Sequence, residues 1–202
     1  MHFSLFGKDR DITVAQRKVL LAGILGWMLD GMDAMLFSFA LVSLRQEFHL
    51  SNAQAGALAS ITLLTSLGGV GFGILADRIG RVKALSYSIL TYSFFTAGLA
   101  TAQSLSQLLL WRGLVGFGLG GEWAAGATLV AETWPARHRG KAIGVMQSGW
   151  AVGYLLAAGL SAVILPRWGW RPLFVIGVVP AALTFLIRRA LTPLEPSRSV
   201  HL

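Results

Sequence analysis

The sequence predicts an all-α membrane protein, six transmembrane helices packed as one bundle with both termini in the cytoplasm. Three observations predict it. The 202 residues are 54% hydrophobic and 13% charged, with a mean hydropathy of +0.64, whereas ordinary soluble domains are about 25% charged. The apolar residues gather into six long runs divided by short polar segments. Lys and Arg concentrate in alternate connecting segments. A soluble fold could not hide this much apolar surface under so few charges. Six spans of about 20 residues need roughly 120 residues plus loops, which this length accommodates; twelve spans do not fit.

The runs follow in order. Residues 1–18 carry mixed charge and read as a cytoplasmic N-terminal segment. No small-residue cleavage site accompanies them, and the run that follows is too long for a signal-peptide core, so a retained first span is expected. That span covers Val19 to Leu44, interrupted only by Asp30 and Asp33. A polar turn over 45–52 offers Ser51 or Asn52 as the cap of the next helix. Span 2 covers Ala53 to Ala76 and stops at a charged stretch, 77–83. Span 3 covers Ala84 to Ala102, and a polar hinge, 103–107, leads to span 4, Leu108 to Ala131, which holds Arg112 and Glu122. A charged loop containing Pro135 is expected over 132–141. Span 5 covers Ala142 to Leu165. The loop 166–172 carries Trp168 and Trp170, expected as interfacial anchors. Span 6, Leu173 to Ile187, contains Pro180 and is stopped by Arg188 and Arg189. The bundle thus occupies residues 19–189, and 190–202 form a polar cytoplasmic tail.

Orientation follows from the cations. The N-terminal segment, the segments after spans 2 and 4, and the tail hold Lys8, Arg10, Arg17, Lys18, Arg78, Arg81, Lys83, Arg137, Arg139, Lys141, Arg188, Arg189 and Arg198. The opposite side holds Arg45, Arg167 and Arg171. Cytoplasmic loops carry the excess of Lys and Arg, so both termini are expected in the cytoplasm of a cell (inner) membrane protein. The same rule accounts for the net charge of +8 without a nucleic-acid partner. The absence of cysteine excludes disulfides and thiolate metal sites.

Four charged residues lie where lipid should be. Each costs about 2.5–3.5 kcal/mol to insert, so each is a candidate functional group. Asp30 and Asp33 are three residues apart, about 60° around a helix, and share a face. Two carboxylates that close repel, which makes the pair a candidate proton-binding site. Arg112 lies about 11 Å into span 4 from its outer end and needs a counter-charge, for which Asp33 is the natural candidate. Glu122 lies ten residues deeper and about 80° around the helix, so both can face one cavity. Gln147, the only uncharged amide of span 5, is a candidate substrate contact.

The remaining patterns are structural. Glycines in spans 2, 4 and 5 let membrane helices approach closely. The run Gly116-Phe-Gly118-Leu-Gly120-Gly121 lies inside an apolar span with no preceding strand, so it is not a nucleotide loop. The four histidines fall in predicted loops or tails, and no nucleophile–base set is present. No catalytic residue, cofactor or metal is expected.

The stretch Gly73-Ile-Leu-Ala-Asp77-Arg78-Ile-Gly80-Arg81-Val-Lys83 resembles the signature of the major facilitator superfamily, which that family places between spans 2 and 3. Arg112 through Glu122 looks like the family's span-4 motif, whose arginine is tied to proton coupling. Glu132 and Arg139, with six residues between, resemble an element of the sugar-porter branch, as does Gly169-Trp170-Arg171. Leu29-Asp30-Gly31-Met32-Asp33 is similar to the span-1 element of proton symporters for organic acids, among them aromatic acids and sialic acid. The Gly120-Gly121-Glu122-Trp123 stretch strengthens that likeness. Span 5 lacks the Gly-Pro pair typical of drug/proton antiporters.

The resemblance covers nearly the whole chain, as the first half of a twelve-span plan. It implies secondary active transport by alternating access, with a proton and a small organic anion as co-substrates. Asp30, Asp33 and Arg112 would couple them. Asp77, Arg78, Arg81, Glu132 and Arg139 would form a cytoplasmic ion-pair network that latches the outward-open state, within the motif of Gly73, Gly80 and Lys83. The alternatives are a sugar symporter or exporter of the same superfamily, or a truncated, non-transporting six-span product. Transport by six spans would call for a missing C-terminal half or a second copy.

Overall fold

Three helices begin where the sequence supplies a side-chain cap. In the computed structural model, which describes residues 12–178, α1 (Val14–Glu47) starts at Thr13. The Thr13 hydroxyl accepts from the Gln16 amide at 3.2 Å, and the Gln16 side chain accepts from the Thr13 amide at 2.8 Å, so two backbone donors are satisfied reciprocally. Ser51 and Gln54 repeat this box at α2 (Asn52–Ser60), making Ser51 the cap. A 3-10 turn (Ile61–Leu64) joins α2 to α3 (Thr65–Ile79). Gly80, at φ 98°, separates α3 from α4 (Arg81–Leu99) in a conformation that a side chain would resist. Ser104 caps α5 (Leu105–Thr133). The chain turns at Trp134-Pro135 into α6 (Ala136–Trp168) and ends in α7 (Arg171–Ile176). There is no strand among the described residues.

Four helical stretches are long and apolar enough to cross a bilayer: α1, the Asn52–Ile79 stretch, α5 and α6. The apolar windows of α1 and α5 are 56% and 67% buried, against 19% and 28% for Asn52–Ile79 and α6. The bundle is therefore built around α1 and α5. On α6, Gly149 and Gly153 lie against the Ile24 and Met28 carbonyls of α1, and a β-carbon at either position would strike that backbone. α4 packs chiefly on α5 and turns Ser88, Tyr92, Ser93 and Thr96 inward. Those polar residues lower its hydropathy beneath that of the other spans.

Each end of the bundle is tied by polar contacts. At one end the Gln16 side-chain amide donates to the Thr133 carbonyl at 2.9 Å, and the Trp134 indole donates to the Gln16 carbonyl at 3.1 Å. At the other, the Glu47 carboxylate accepts from the Trp170 indole at 2.6 Å and from Arg171 at 2.8 Å. Arg171 also donates to the Ala102 carbonyl at 3.2 Å.

Several expectations change. Span 2 is not one continuous helix, because the 3-10 turn breaks it at Ile61–Leu64. The charged segment 132–141 is mostly helical: α5 runs to Thr133 and α6 opens at Ala136, so His138 and Arg139 sit on a helix rather than in a loop. Pro166 and Trp168 belong to the last turn of α6. Trp168 is exposed, but Trp170 is 2% exposed and packs inward, so it is no interfacial anchor. Span 6 is described only to Val178; its remainder to Ile187, Pro180, Arg188, Arg189 and the tail 190–202 lie outside the described residues, as do residues 1–11.

A buried charge cluster between α1, α4 and α5

Asp33 and Arg112 meet in the interior. Arg112 Nη1 lies 3.4 Å from Asp33 Oδ2, and each residue is 2% exposed. The second Asp33 oxygen accepts from the Thr96 hydroxyl of α4 at 2.8 Å. The Arg112 guanidinium carbon sits 4.0 Å from the centre of the Phe37 ring. An ion pair at this depth persists only with its remaining lone pairs and donors engaged. Thr96 and Phe37 supply two of those engagements.

Asp30 takes different partners. One turn along α1, its carboxyl is close to the Glu122 carboxyl on α5 and the Tyr92 hydroxyl on α4. Asp30 and Glu122 are each 4% exposed, and Tyr92 is fully buried. Gly26 makes the room, since a β-carbon there would overlap Glu122 Oε1. Asp30 Oδ1, Glu122 Oε2 and the Tyr92 hydroxyl have no hydrogen-bond partner among the described residues. Two carboxyl groups in contact away from water repel unless a proton lies between them, so this arrangement is chemically suited to hold one.

The two aspartates stand near each other but take different nearest partners. Each turns to its own partner: Asp33 to Arg112 and Thr96, Asp30 to Glu122 and Tyr92. Gln147 is exposed on α6 and makes no hydrogen bond among the described residues.

Of the residues expected to form a cytoplasmic gate, Asp77, Arg81 and Glu132 meet. Arg81 lies 2.7 Å from Asp77 and 3.3 Å from Glu132, which links the turn at Gly80 to the end of α5. Arg78, Lys83 and Arg139 are exposed, and Arg139 makes no ion pair among the described residues. A β-carbon at Gly73 would meet nothing within 4 Å.

Thr96, Tyr92, Phe37 and Gly26 were not anticipated from the sequence. A signal was present for two of them. Ser88, Tyr92 and Thr96 recur every four residues on α4 and share a face, a polar stripe in an apolar span. An apolar groove of about 340 Å³ lies elsewhere, lined by residues such as Ile61, Leu64, Gly113 and Phe117, and offers a charged solute no partner. No group of three or more His, Cys, Asp or Glu is placed to hold a metal ion among the described residues.

A helical membrane bundle with paired charges sealed in its core has the makings of a solute transporter. Comparison with known proteins sharpens this. The profile of the Major Facilitator Superfamily matches residues 17–202, and the chain belongs to that family of transporters. It is 43% identical over 179 residues to a probable 4-methylmuconolactone transporter of Cupriavidus pinatubonensis, covering 86% of this chain and 42% of that protein. It is 40% identical over 168 residues to the cis,cis-muconate transport protein of Acinetobacter baylyi, covering 83% and 41%. Among solved structures it superposes on a bacterial homologue of the human lysosomal transporter Spinster, in an inward-facing, occupied conformation. The TM-score is 0.76 at 27% identity, covering 93% of this chain and 46% of that one. The chain spans about half the length of the relatives it matches. It is an integral protein of the cell (inner) membrane.

Proposed function

We propose that the protein is a proton-coupled symporter of a small organic acid, working by alternating access. This chain supplies one six-span bundle with both termini cytoplasmic, and a second bundle, from further polypeptide or a second copy, completes the substrate cavity. The observation that carries the reading is the buried Asp33–Arg112 pair, in a chain whose relatives include a muconate transport protein. The end that gathers Asp77, Arg81 and Glu132 also holds Arg17, Lys18, Arg137, Arg139 and Lys141, which supports placing it in the cytoplasm.

The charges then take the following roles. Asp33 accepts a proton from the Glu47 side, and its ion pair with Arg112 opens. Arg112, still cationic, receives the substrate carboxylate in a fork suited to it. Asp30 and Glu122, about 4.5 Å further along the axis, form the next carboxyl site toward the cytoplasm. Gln147, exposed on α6, faces what the second bundle covers and contacts substrate. The Asp77–Arg81–Glu132 ties latch the cytoplasmic side in the outward-open state, and Gly73, Arg78, Gly80, Lys83 and Arg139 complete that gate. Breaking such ties biases the equilibrium between two states.

Uptake of labelled cis,cis-muconate and labelled xylose by cells expressing the protein from its native locus tests the reading. Carboxylate accumulation that a protonophore collapses is expected. Xylose accumulation in its place means a sugar symporter, and accumulation of neither means a non-transporting product.

A further inference from the structure

One glutamine side chain closes two helix ends. Gln16 lies in the first turn of α1, and its side-chain oxygen accepts from the Thr13 amide at 2.8 Å. The nitrogen of the same side chain donates to the Thr133 carbonyl, the last of α5, at 2.9 Å. The Trp134 indole returns the link by donating to the Gln16 main-chain carbonyl at 3.1 Å. Trp134 is buried and Gln16 half-buried, so the joint is partly shielded from water. The end of α5 needs such a partner, because the last carbonyls of a helix have none within it. The Trp134 amide still donates to the Val130 carbonyl. The next residue is Pro135, which has no N–H to extend the ladder to Ala131. Gln16 therefore supplies from α1 a donor that α5 lacks.

We propose that Gln16 is the positioning residue for Glu132, and through it for the Asp77–Arg81–Glu132 ties. This rests on the reading of those ties as the cytoplasmic latch. Glu132 directly precedes Thr133, and its carboxylate lies 3.3 Å from Arg81. Both side chains reach solvent, and an ion pair of that kind is too weak to order a helix end by itself. The place of Glu132 is set instead by the backbone that carries it, and Gln16 and Trp134 pin that backbone to α1. The residue type is specific. A glutamine amide holds an acceptor and a donor on one planar group, and both are used here. A glutamate, equally suited to the third position of a capping box, would serve Thr13 but has no donor for Thr133.

The test uses that difference, on the full chain. Gln16→Glu keeps the acceptor for the Thr13 amide and removes the donor to Thr133, whereas Gln16→Ala removes both. In detergent micelles, amide hydrogen exchange over 129–134 is expected to rise severalfold in both variants, and over 13–17 in Gln16→Ala alone. Unchanged exchange over 129–134 in Gln16→Glu overturns Gln16 as the residue that holds the end of α5. In cells, Gln16→Glu is expected to slow uptake as much as Arg81→Ala does. The double variant Gln16→Glu/Arg81→Ala is expected to be no slower than Arg81→Ala, since both changes undo the same latch. Losses that multiply in the double variant overturn the link between Gln16 and the latch, because a general weakening of the fold would act separately from Arg81. If Arg81→Ala takes up substrate normally, the latch reading itself fails, and the exchange measurement alone decides whether Gln16 fixes the turn that carries Glu132.

Discussion

Arg112 Nη1 and Asp33 Oδ2 lie 3.4 Å apart with both side chains sealed from solvent. The pair stands because each residue answers the other's charge. Removing one partner leaves an uncompensated buried charge, which costs about 3–5 kcal/mol. Removing both charges costs much less. Arg112→Gln alone and Asp33→Asn alone should therefore each destabilise the chain strongly in detergent, and the double variant should recover most of the loss. Additive losses in the double variant would mean that the two charges are not energetically coupled.

The same pair gives a functional expectation. If Asp33 is the proton acceptor, Asp33→Asn abolishes proton-driven accumulation of carboxylate. Exchange of labelled for unlabelled substrate, which needs no net proton movement, should persist at a reduced rate. Accumulation retained against the gradient would remove Asp33 from the coupling step.

How much of this was legible in the sequence depends on the physics behind each feature. The apolar runs were legible because a bilayer demands about 20 apolar residues per span. Helix ends were not, because hydropathy stops at the last apolar residue while backbone hydrogen bonding continues. α1 runs on through Arg45 and Glu47, and α6 begins at Ala136 among charges. The break at Ile61–Leu64 contains neither Pro nor Gly and had no local signal. That Asp30, Asp33, Arg112 and Glu122 need partners inside the bundle could be read from the cost of burying charge. The pairing of Asp30 with Glu122 could not, because helical angles say which residues share a face and not which helix that face meets. Trp170 was misread because a Trp beside a loop serves either lipid interface or core, and its hydrogen-bond partner, Glu47, lies 123 residues away.

Gly26 offers a steric test of the second carboxyl site. A β-carbon at this position overlaps Glu122 Oε1, so Gly26→Ala must displace the Glu122 carboxyl. Overpacking of this kind costs about 1–3 kcal/mol. Combining Gly26→Ala with Glu122→Ala frees the space, so the double variant should be more stable than Gly26→Ala would predict if the effects added. Unfolding midpoints of the three variants decide this. An unchanged midpoint in Gly26→Ala would mean that Glu122 does not rest on that surface.

Arg81 separates gating from stability. Its ties to Asp77 and Glu132 are solvent-exposed, and exposed ion pairs contribute about 0–1 kcal/mol. Arg81→Ala should hardly alter the unfolding midpoint. If the ties latch the cytoplasmic side, the same variant should slow uptake severalfold. Loss of fold and transport together would assign Arg81 to structure, and normal uptake would remove it from the gate.

Glu47 holds two partners of unequal weight. The Trp170 indole belongs to a buried side chain and its N–H has Glu47 as acceptor at 2.6 Å, whereas Arg171 is about half exposed and also reaches the Ala102 carbonyl. An unsatisfied buried donor costs about 1–3 kcal/mol, while a surface ion pair is worth little. Glu47→Ala orphans the indole and should destabilise the chain most. Glu47→Gln keeps an acceptor for it and should cost far less, close to Arg171→Ala. Thermal unfolding of the three variants fixes the order. If Glu47→Gln proves as damaging as Glu47→Ala, the charge rather than the indole hydrogen bond holds α7 against α1.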